Sequence, residues 1–247
     1  MTKRRICILG GCGGIGRSLV TSLLANGDDV AVMDLPQVLD RHPPSPGVIA
    51  IAVEGSNEDS VRRAFDELAT RWGALDGFVN AAGFVIEKRK LVDTPTSEFD
   101  ITMSGNLRTT FLACKAAMAL LDKGNAPSMV NIASGLGAFI RPDFGPYAAA
   151  KAGMIALTKT FALEHAPKVR ANCVAPGPVD TAFLRGGTAA AEQSKSHADI
   201  NAFNALIPLR RIAVPEDIVG PVMFLLGPQS AYMTGQTLWL NGGAYMP

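Results

Sequence analysis

Seven short apolar runs, separated by longer helix-like or polar stretches, constrain this chain more than any other feature. The runs cover residues 6–9, 30–33, 48–53, 77–80, 129–133, 169–174 and 237–240. Each is almost continuously apolar, the pattern of strands covered on both faces. Helical periodicity runs between them over 15–26, 58–72, 97–121, 147–164 and 216–226. Strand alternating with helix requires right-handed crossovers, because parallel neighbours need a long connection. The expected architecture is therefore α/β: one domain over 1–247, built on a doubly wound parallel sheet of about seven strands flanked by helices.

Composition agrees with such a core and narrows the function. The 247 residues are 48% hydrophobic and 18% charged, with a formal net charge of +1. A near-neutral balance lacks the clustered cations that phosphate backbones need, so no nucleic-acid partner is expected. The densest basic stretch, Lys3-Arg4-Arg5, reads as the solvated start of the first strand. With no leader pattern and no apolar run near about 18 residues, no membrane association is expected and a cytoplasmic location is. Four cysteines (Cys7, Cys12, Cys114, Cys173) form no C-x-x-C pair. Three sit in apolar runs as small hydrophobes. His42, His165 and His197 have no partners at ligand spacing, so no metal site is expected.

Two stretches, 36–46 and 176–208, read as irregular. The second follows a strand's carboxyl end, where sheets of this kind bind ligands. Residues 182–208 are thus either a substrate lid or a surface insertion.

The glycine cluster Gly10-Gly11-Cys12-Gly13-Gly14-Ile15-Gly16 follows the first run and opens a helix. Glycines let the backbone approach a pyrophosphate, and the helix N-terminus supplies N–H groups and positive dipole. In the first βαβ unit of a Rossmann-type sheet, with acidic Asp34 closing the second run, this is a dinucleotide site. A carboxylate accepts hydrogen bonds from both ribose hydroxyls and repels a 2′-phosphate, and Leu35 and Pro36 bring no cation. NAD is the expected cofactor, and Arg17 and Arg41 are the residues able to reverse that preference. Cys12 lies beside the helix N-terminus, where a thiol pKa can fall. It is either a redox-sensitive position or a small tolerated side chain.

Tyr147 and Lys151 stand one helical turn apart, so both face one way. Ser134 closes the fifth run and can meet them at the strand's carboxyl edge. A phenol titrates near about 10, and an ammonium beside it lowers an acid by about 1–3 units, so Tyr147 is a candidate general acid and base.

With those residues in place the chain resembles the short-chain dehydrogenase/reductase family along essentially its whole length. Asn80-Ala81-Ala82-Gly83 resembles the family's motif after the fourth strand, and Asn131-Ile132-Ala133-Ser134 its serine-bearing strand. Pro176-Gly177-Pro178-Val179-Asp180-Thr181 resembles the loop that meets the nicotinamide. Pro215-Glu216-Asp217-Ile218, Thr234-Gly235-Gln236 and Asn241-Gly242-Gly243 resemble the closing segment. The resemblance implies that Ser134 polarises the substrate oxygen and Tyr147 moves its proton. It implies that Lys151 lowers the tyrosine pKa and holds the nicotinamide ribose, while Asn106 anchors a water leading to solvent. It also implies that Leu35, Glu54, Gly55, Asn80, Ala81, Ala82, Gly83, Pro176, Gly177, Val179 and Thr181 join the glycine loop around the cofactor, and that the protein is a homotetramer. Leu9, Ala81 and Glu54 depart from the family's usual residues without touching Ser134, Tyr147, Lys151 or Asn106.

By position Leu136 and Phe144, with Phe84, Phe183 and Leu184, line the substrate pocket, which suits an apolar or alicyclic alcohol or ketone. Arg141 either takes a carboxylate or faces water. Two other functions fit the same residues: an NADPH-linked 3-oxoacyl thioester reductase, and a dinucleotide sensor without catalysis.

Overall fold

Within the first apolar run the side chains alternate between two cores rather than between core and water. Ile6 and Ile8 pack on one side of the sheet with Leu19, Val32, Val79, Val130, Ile218 and Val222. Cys7 and Leu9 pack on the other with Met33, Phe65, Leu68, Phe78, Leu112 and Met129. That two-sided burial is why the strands carry no polar face. The computed structural model describes residues 3–185 and 199–246, so Gly186-Gly187-Thr188, His197 and the middle of the expected lid lie outside the described residues.

The strands are β1 (Arg5–Leu9), β2 (Asp29–Asp34), β3 (Ile49–Ala52), β4 (Gly77–Asn80), β5 (Ser128–Ile132), β6 (Arg170–Pro176) and β7 (Thr237–Leu240). They form one parallel sheet in the order β3-β2-β1-β4-β5-β6-β7. The order reverses between β1 and β4, which opens a crevice at the carboxyl edge there. The register sets Leu9 beside Met33 and Asn80, Asn80 beside Asn131, and Ile132 beside Val174. The segments that follow these strands therefore meet on one edge.

The helices are α1 (Gly14–Ala25), α2 (Pro36–Arg41), α3 (Glu58–Trp72), α4 (Thr96–Met103), α5 (Thr109–Leu121), α6 (Gly145–His165), α7 (Ile200–Leu206) and α8 (Pro215–Leu226). Asn57 caps α3 by accepting the Ser60 N–H, and Gly73 ends it at φ 68°.

Three local expectations need correction. Residues 36–41 are helical: Pro36, preset near helical φ, sits at the first position of α2. Residues 176–208 also contain α7, capped by Asp199. The long helix expected over 97–121 is interrupted by a wide turn, Ser104–Arg108. Thr109 and Thr110 hydroxyls bond back to the carbonyls of Ser104 and Asn106 there, at 3.2 and 2.7 Å. Such back-bonding competes with regular helix geometry.

The basic run is not a solvated strand start either. Arg4 pairs with Asp28 at 2.7 Å and Arg5 with Asp76 at 3.0 Å, and both acids are buried. Their partners lie far away in sequence, at the starts of β2 and β4, which is why the run alone could not show them. Among the described residues no helix is long and apolar enough to cross a membrane.

Candidate active site

The carboxyl edge carries a continuous cleft of about 2260 Å³. That is more than twice the roughly 300–1000 Å³ of an ordinary small-ligand pocket, so a long ligand and a second molecule both fit.

Its first half is built by the turn from β1 into α1. Gly10 holds φ +79° and lies so close to the end of β4 that an added Cβ would sit 2.7 Å from the Ala82 nitrogen. At Gly16 an added Cβ would meet the Gly10 carbonyl oxygen at 2.3 Å, so the helix start is pressed onto the strand end. Gly13, by contrast, has nothing closer than 3.4 Å, leaving space above the turn. Gly13 is the N-cap of α1 and offers no side-chain cap, and the first turn carries no acid. The first N–H groups of the helix thus point outward with positive dipole. This uncapped cradle fits a pyrophosphate. Thr181, from the loop after β6, closes it, since a Cβ on Gly14 would meet its Cγ2 at 2.6 Å.

Asp34 stands where β2 ends. One carboxylate oxygen accepts the Cys12 N–H at 3.0 Å and the other the Leu35 N–H at 2.9 Å. Burial pushes its pKa up and these two N–H donors pull it down. A carboxylate has about four lone-pair sites, so ribose hydroxyls can still bond there. Cys12 is buried, and burial together with the Asp34 charge pushes its thiol up to about 11. Its position beside the helix N-terminus therefore does not bring the thiol below its ordinary value.

Leu35, Glu54, Gly55, Ala81, Ala82 and Gly83 border the same half of the cleft, and Pro176, Gly177, Val179 and Thr181 border its far wall. The loop after β6 is fixed by the Gly177 N–H on Leu240 and by the paired Pro178 and Asp180 bonds to Ala213. Asn80 does not border the cleft. It is fully buried, donating to Thr110 at 3.0 Å and accepting the Ala82 N–H at 3.2 Å, so it braces the loop from beneath.

The second half surrounds Tyr147. Gly145 and Pro146 start α6, whose axis carries Tyr147 and Lys151 against the end of β5. Ser134 caps a short 3-10 turn, Gly135–Gly137, by accepting the Leu136 N–H at 3.2 Å, and its own hydroxyl meets Tyr147. Burial pushes the Tyr147 pKa up, and the neighbouring Ser134 hydroxyl pulls it back. Burial dominates, so the phenol lies above its ordinary value rather than below it, the direction expected from the Lys151 spacing.

Lys151 is 3% exposed. Burial pushes its ammonium down to about 8, and it donates to the Ile132 carbonyl at 2.9 Å while lying 5.6 Å from the Tyr147 ring centroid. Gly83 leaves room above it, since a Cβ there would stand 3.2 Å from Lys151 Nζ and 2.9 Å from Asn106 Oδ1.

Asn106 sits in the wide turn behind this pair, buried and outside the cleft wall. Its amide clamps both main-chain groups of Phe84, and it also donates to the Thr102 carbonyl.

Leu136, Phe144, Phe84, Phe183 and Leu184 all line the substrate half, as does Arg141. Phe139, Phe203, Ala244 and Tyr245 also line it and escaped the sequence reading. Tyr245 stacks on Phe139 at 4.9 Å and meets Trp239 edge-on at 5.7 Å. The only signal for Tyr245 was its place just after the Asn241-Gly242-Gly243 turn.

Known proteins share the fold and much of the chain. A family model described as Enoyl-(Acyl carrier protein) reductase matches residues 11–245. An uncharacterized short-chain type dehydrogenase/reductase of Sinorhizobium fredii is 35% identical over 97% of this chain, which spans 43% of that relative's length. A 3-oxoacyl-acyl-carrier-protein reductase of Chlamydia pneumoniae is 30% identical, over 98% of this chain and 97% of its own. The solved structure of ElxO with NADP bound superposes with a TM-score of 0.88 at 25% identity, covering 98% of this chain and 99% of that one.

Proposed function

The chain belongs to the short-chain dehydrogenase/reductase family and is an oxidoreductase fold built around a nicotinamide-cofactor site, and we propose that it moves hydride between NAD and a secondary alcohol or ketone. The observation that carries this reading is the convergence of Ser134, Tyr147 and Lys151 beside the uncapped start of α1 in one cleft. A bound nicotinamide dinucleotide supplies or accepts the hydride.

The protein's part is proton handling and positioning. Ser134 turns its O–H from Tyr147 to the substrate oxygen and holds that oxygen against the Tyr147 hydroxyl. In reduction Tyr147 gives its proton to that oxygen as the carbon gains hydride; in oxidation the phenolate takes the hydroxyl proton back. Lys151, beside Gly83, would hold the ribose hydroxyls of a bound cofactor, and its charge favours the phenolate when oxidation runs. Asn106 shapes the wide turn through Phe84 and anchors the water that refills the proton.

Asp34 supports NAD. Its carboxylate lies on the cleft and is already fixed by two N–H donors, so a 2′-phosphate would meet a rigid negative charge. The second reading, an NADPH-linked 3-oxoacyl thioester reductase, is favoured by Arg17, Arg41 and His42 on the same stretch of the cleft and by the NADP-bound and thioester-reducing relatives. Titration with NADH and NADPH decides between them: at least about tenfold tighter NADH binding is expected, and Asp34→Ser should erase that preference by removing roughly 1.4 kcal/mol or more of discrimination. Tighter NADPH binding by the unaltered protein refutes the NAD assignment.

We further propose a homotetramer in the cytoplasm. Exposed Phe111 on α5 and Leu163 on α6, beside the small exposed Ala149 and Ala156, offer apolar faces for close helix packing. Light scattering on the eluting protein tests this, a monomer mass being the contrary result.

A further inference from the structure

Two cations line the substrate half of the cleft with no counter-ion among the described residues. Lys88 Nζ stands 5.2 Å from the ring centroid of Phe144, and the Arg141 guanidinium 5.5 Å from that of Phe139. Both cations and both rings border the cleft that holds Ser134 and Tyr147. The segments carrying them form one rim, because the Arg89 N–H donates to the Asp143 carbonyl at 3.3 Å.

The acids of that rim are largely engaged elsewhere. Arg89 takes Glu87 at 2.6 Å and Glu98 at 3.2 Å. Asp143 is exposed and turned by a positive φ of 70°. Among the described residues neither Lys88 nor Arg141 has an ion pair or a side-chain hydrogen bond; the ring faces are their recorded contacts. A ring under a guanidinium steadies the charge while leaving its N–H fork unused. Below the rim the walls are apolar, formed by Phe84, Leu136, Phe144, Phe183 and Tyr245. Such a box suits a molecule with an apolar body, a reacting oxygen at one end and a negative charge at the other.

Resting on the alcohol/ketone reading above, we propose that the substrate is an organic anion whose charged group is taken up by Arg141, with Lys88 assisting. Arg141 and Lys88 are then specificity-determining residues. Arg141 is the stronger, being half-buried and able to bind an oxyanion through two N–H groups. The charge can sit on the substrate body as a carboxylate or on a carrier arm as a phosphate, and matched pairs separate the two. One pair is 4-oxocyclohexanecarboxylate and its amide. The other is acetoacetyl-coenzyme A and the neutral acetoacetyl N-acetylcysteamine thioester.

Each compound is assayed for turnover with reduced cofactor and, by calorimetry, for binding to the cofactor-loaded Tyr147→Phe protein. The charged member of a pair should have a KM and Kd lower by about tenfold, with kcat within about twofold. Arg141→Gln should remove most of that preference, Lys88→Gln a smaller part, and added salt should weaken it. Preference in the first pair assigns a carboxylate; preference in the second pair alone assigns the carrier phosphate. Equal affinity within both pairs, or a preference that survives the double variant, overturns the proposal. Charge-selective binding without turnover of any compound leaves the anion site standing and refutes the alcohol/ketone reading instead.

Discussion

At the edge where the strands begin, charge is paired. Arg4 holds Asp28 and reaches the Leu226 carbonyl, while Arg5 holds Asp76 and reaches that of Trp72. Arg170 gathers carbonyls of Leu225, Gly227 and Ser230, and the Ser128 hydroxyl closes on Leu225. At the edge where the strands end, charge is buried with little to answer it. Lys151 has one carbonyl and a sulfur, Tyr147 lies against Phe183 and the Ser134 hydroxyl, and Asp34 accepts two main-chain N–H groups. One sheet therefore separates two uses of polar residues. The first edge spends them on holding the fold, and the second keeps them desolvated and available for a ligand.

Substitutions at the two edges should then have opposite signatures. Lys151→Met should lower kcat/KM by about 10²–10⁴ while leaving the melting temperature unchanged or raised, since a desolvated ammonium is replaced by an apolar chain. Coupled assays and thermal melts read both effects; a large stability loss would dissolve the distinction.

Asp76→Ala should do the reverse. It orphans Arg5 and the Arg5 and Asn125 N–H groups, costing about 2–4 kcal/mol, with activity per folded molecule kept. For a chain of this size that is a drop of roughly 4–16 °C in Tm.

The pH dependence also separates the edges. Asp76 is pulled below its ordinary value by Arg5, although burial, the largest single influence, opposes this. Its contribution is present above the unfolded carboxyl pKa of about 3.9 and is lost as pH falls through the lower folded value. Lys151 titrates near about 8 when folded. Between that value and the unfolded pKa of about 10.4 the unfolded chain binds more protons, so stability rises with pH across the window. The stability difference between wild type and Lys151→Met, read by denaturant melts from pH 7 to 10, should shift in favour of wild type as pH rises, the opposing contribution of the buried thiols cancelling between the two proteins.

The smallest effect belongs to Asp217, held at about 2 by the surface Arg211. Asp217→Ala should cost less than about 1 kcal/mol because the pair is solvated, and a larger loss by denaturant melt would mark α8 as more dependent on it than its exposure allows.

These edges differed in legibility too. The second was readable because its chemistry sits in contiguous motifs: the glycine turn, Tyr147 with Lys151, and the segment after Gly177. The first was not, since Arg4 with Asp28 and Arg5 with Asp76 join residues that only the sheet register brings together. For the same reason Tyr245 and Phe139 were missed as pocket walls, although each is plain in sequence. The wide turn at Ser104–Arg108 hid inside good helix periodicity, because hydroxyl back-bonding leaves no mark on an apolar pattern. Asn80 and Asn106 were found by motif, but their depth beneath the cleft and their bracing bonds needed coordinates.

Tyr147 is the proton-moving group of the proposed hydride-transfer site, and one comparison tests that role most directly. A panel of secondary alcohols and ketones is assayed by nicotinamide absorbance with the unaltered protein and with Tyr147→Phe, which keeps the ring and its contact with Phe183. The account predicts turnover by the unaltered protein and a loss of at least about a hundredfold in the variant, with cofactor still bound. Equal turnover in the two proteins would contradict it.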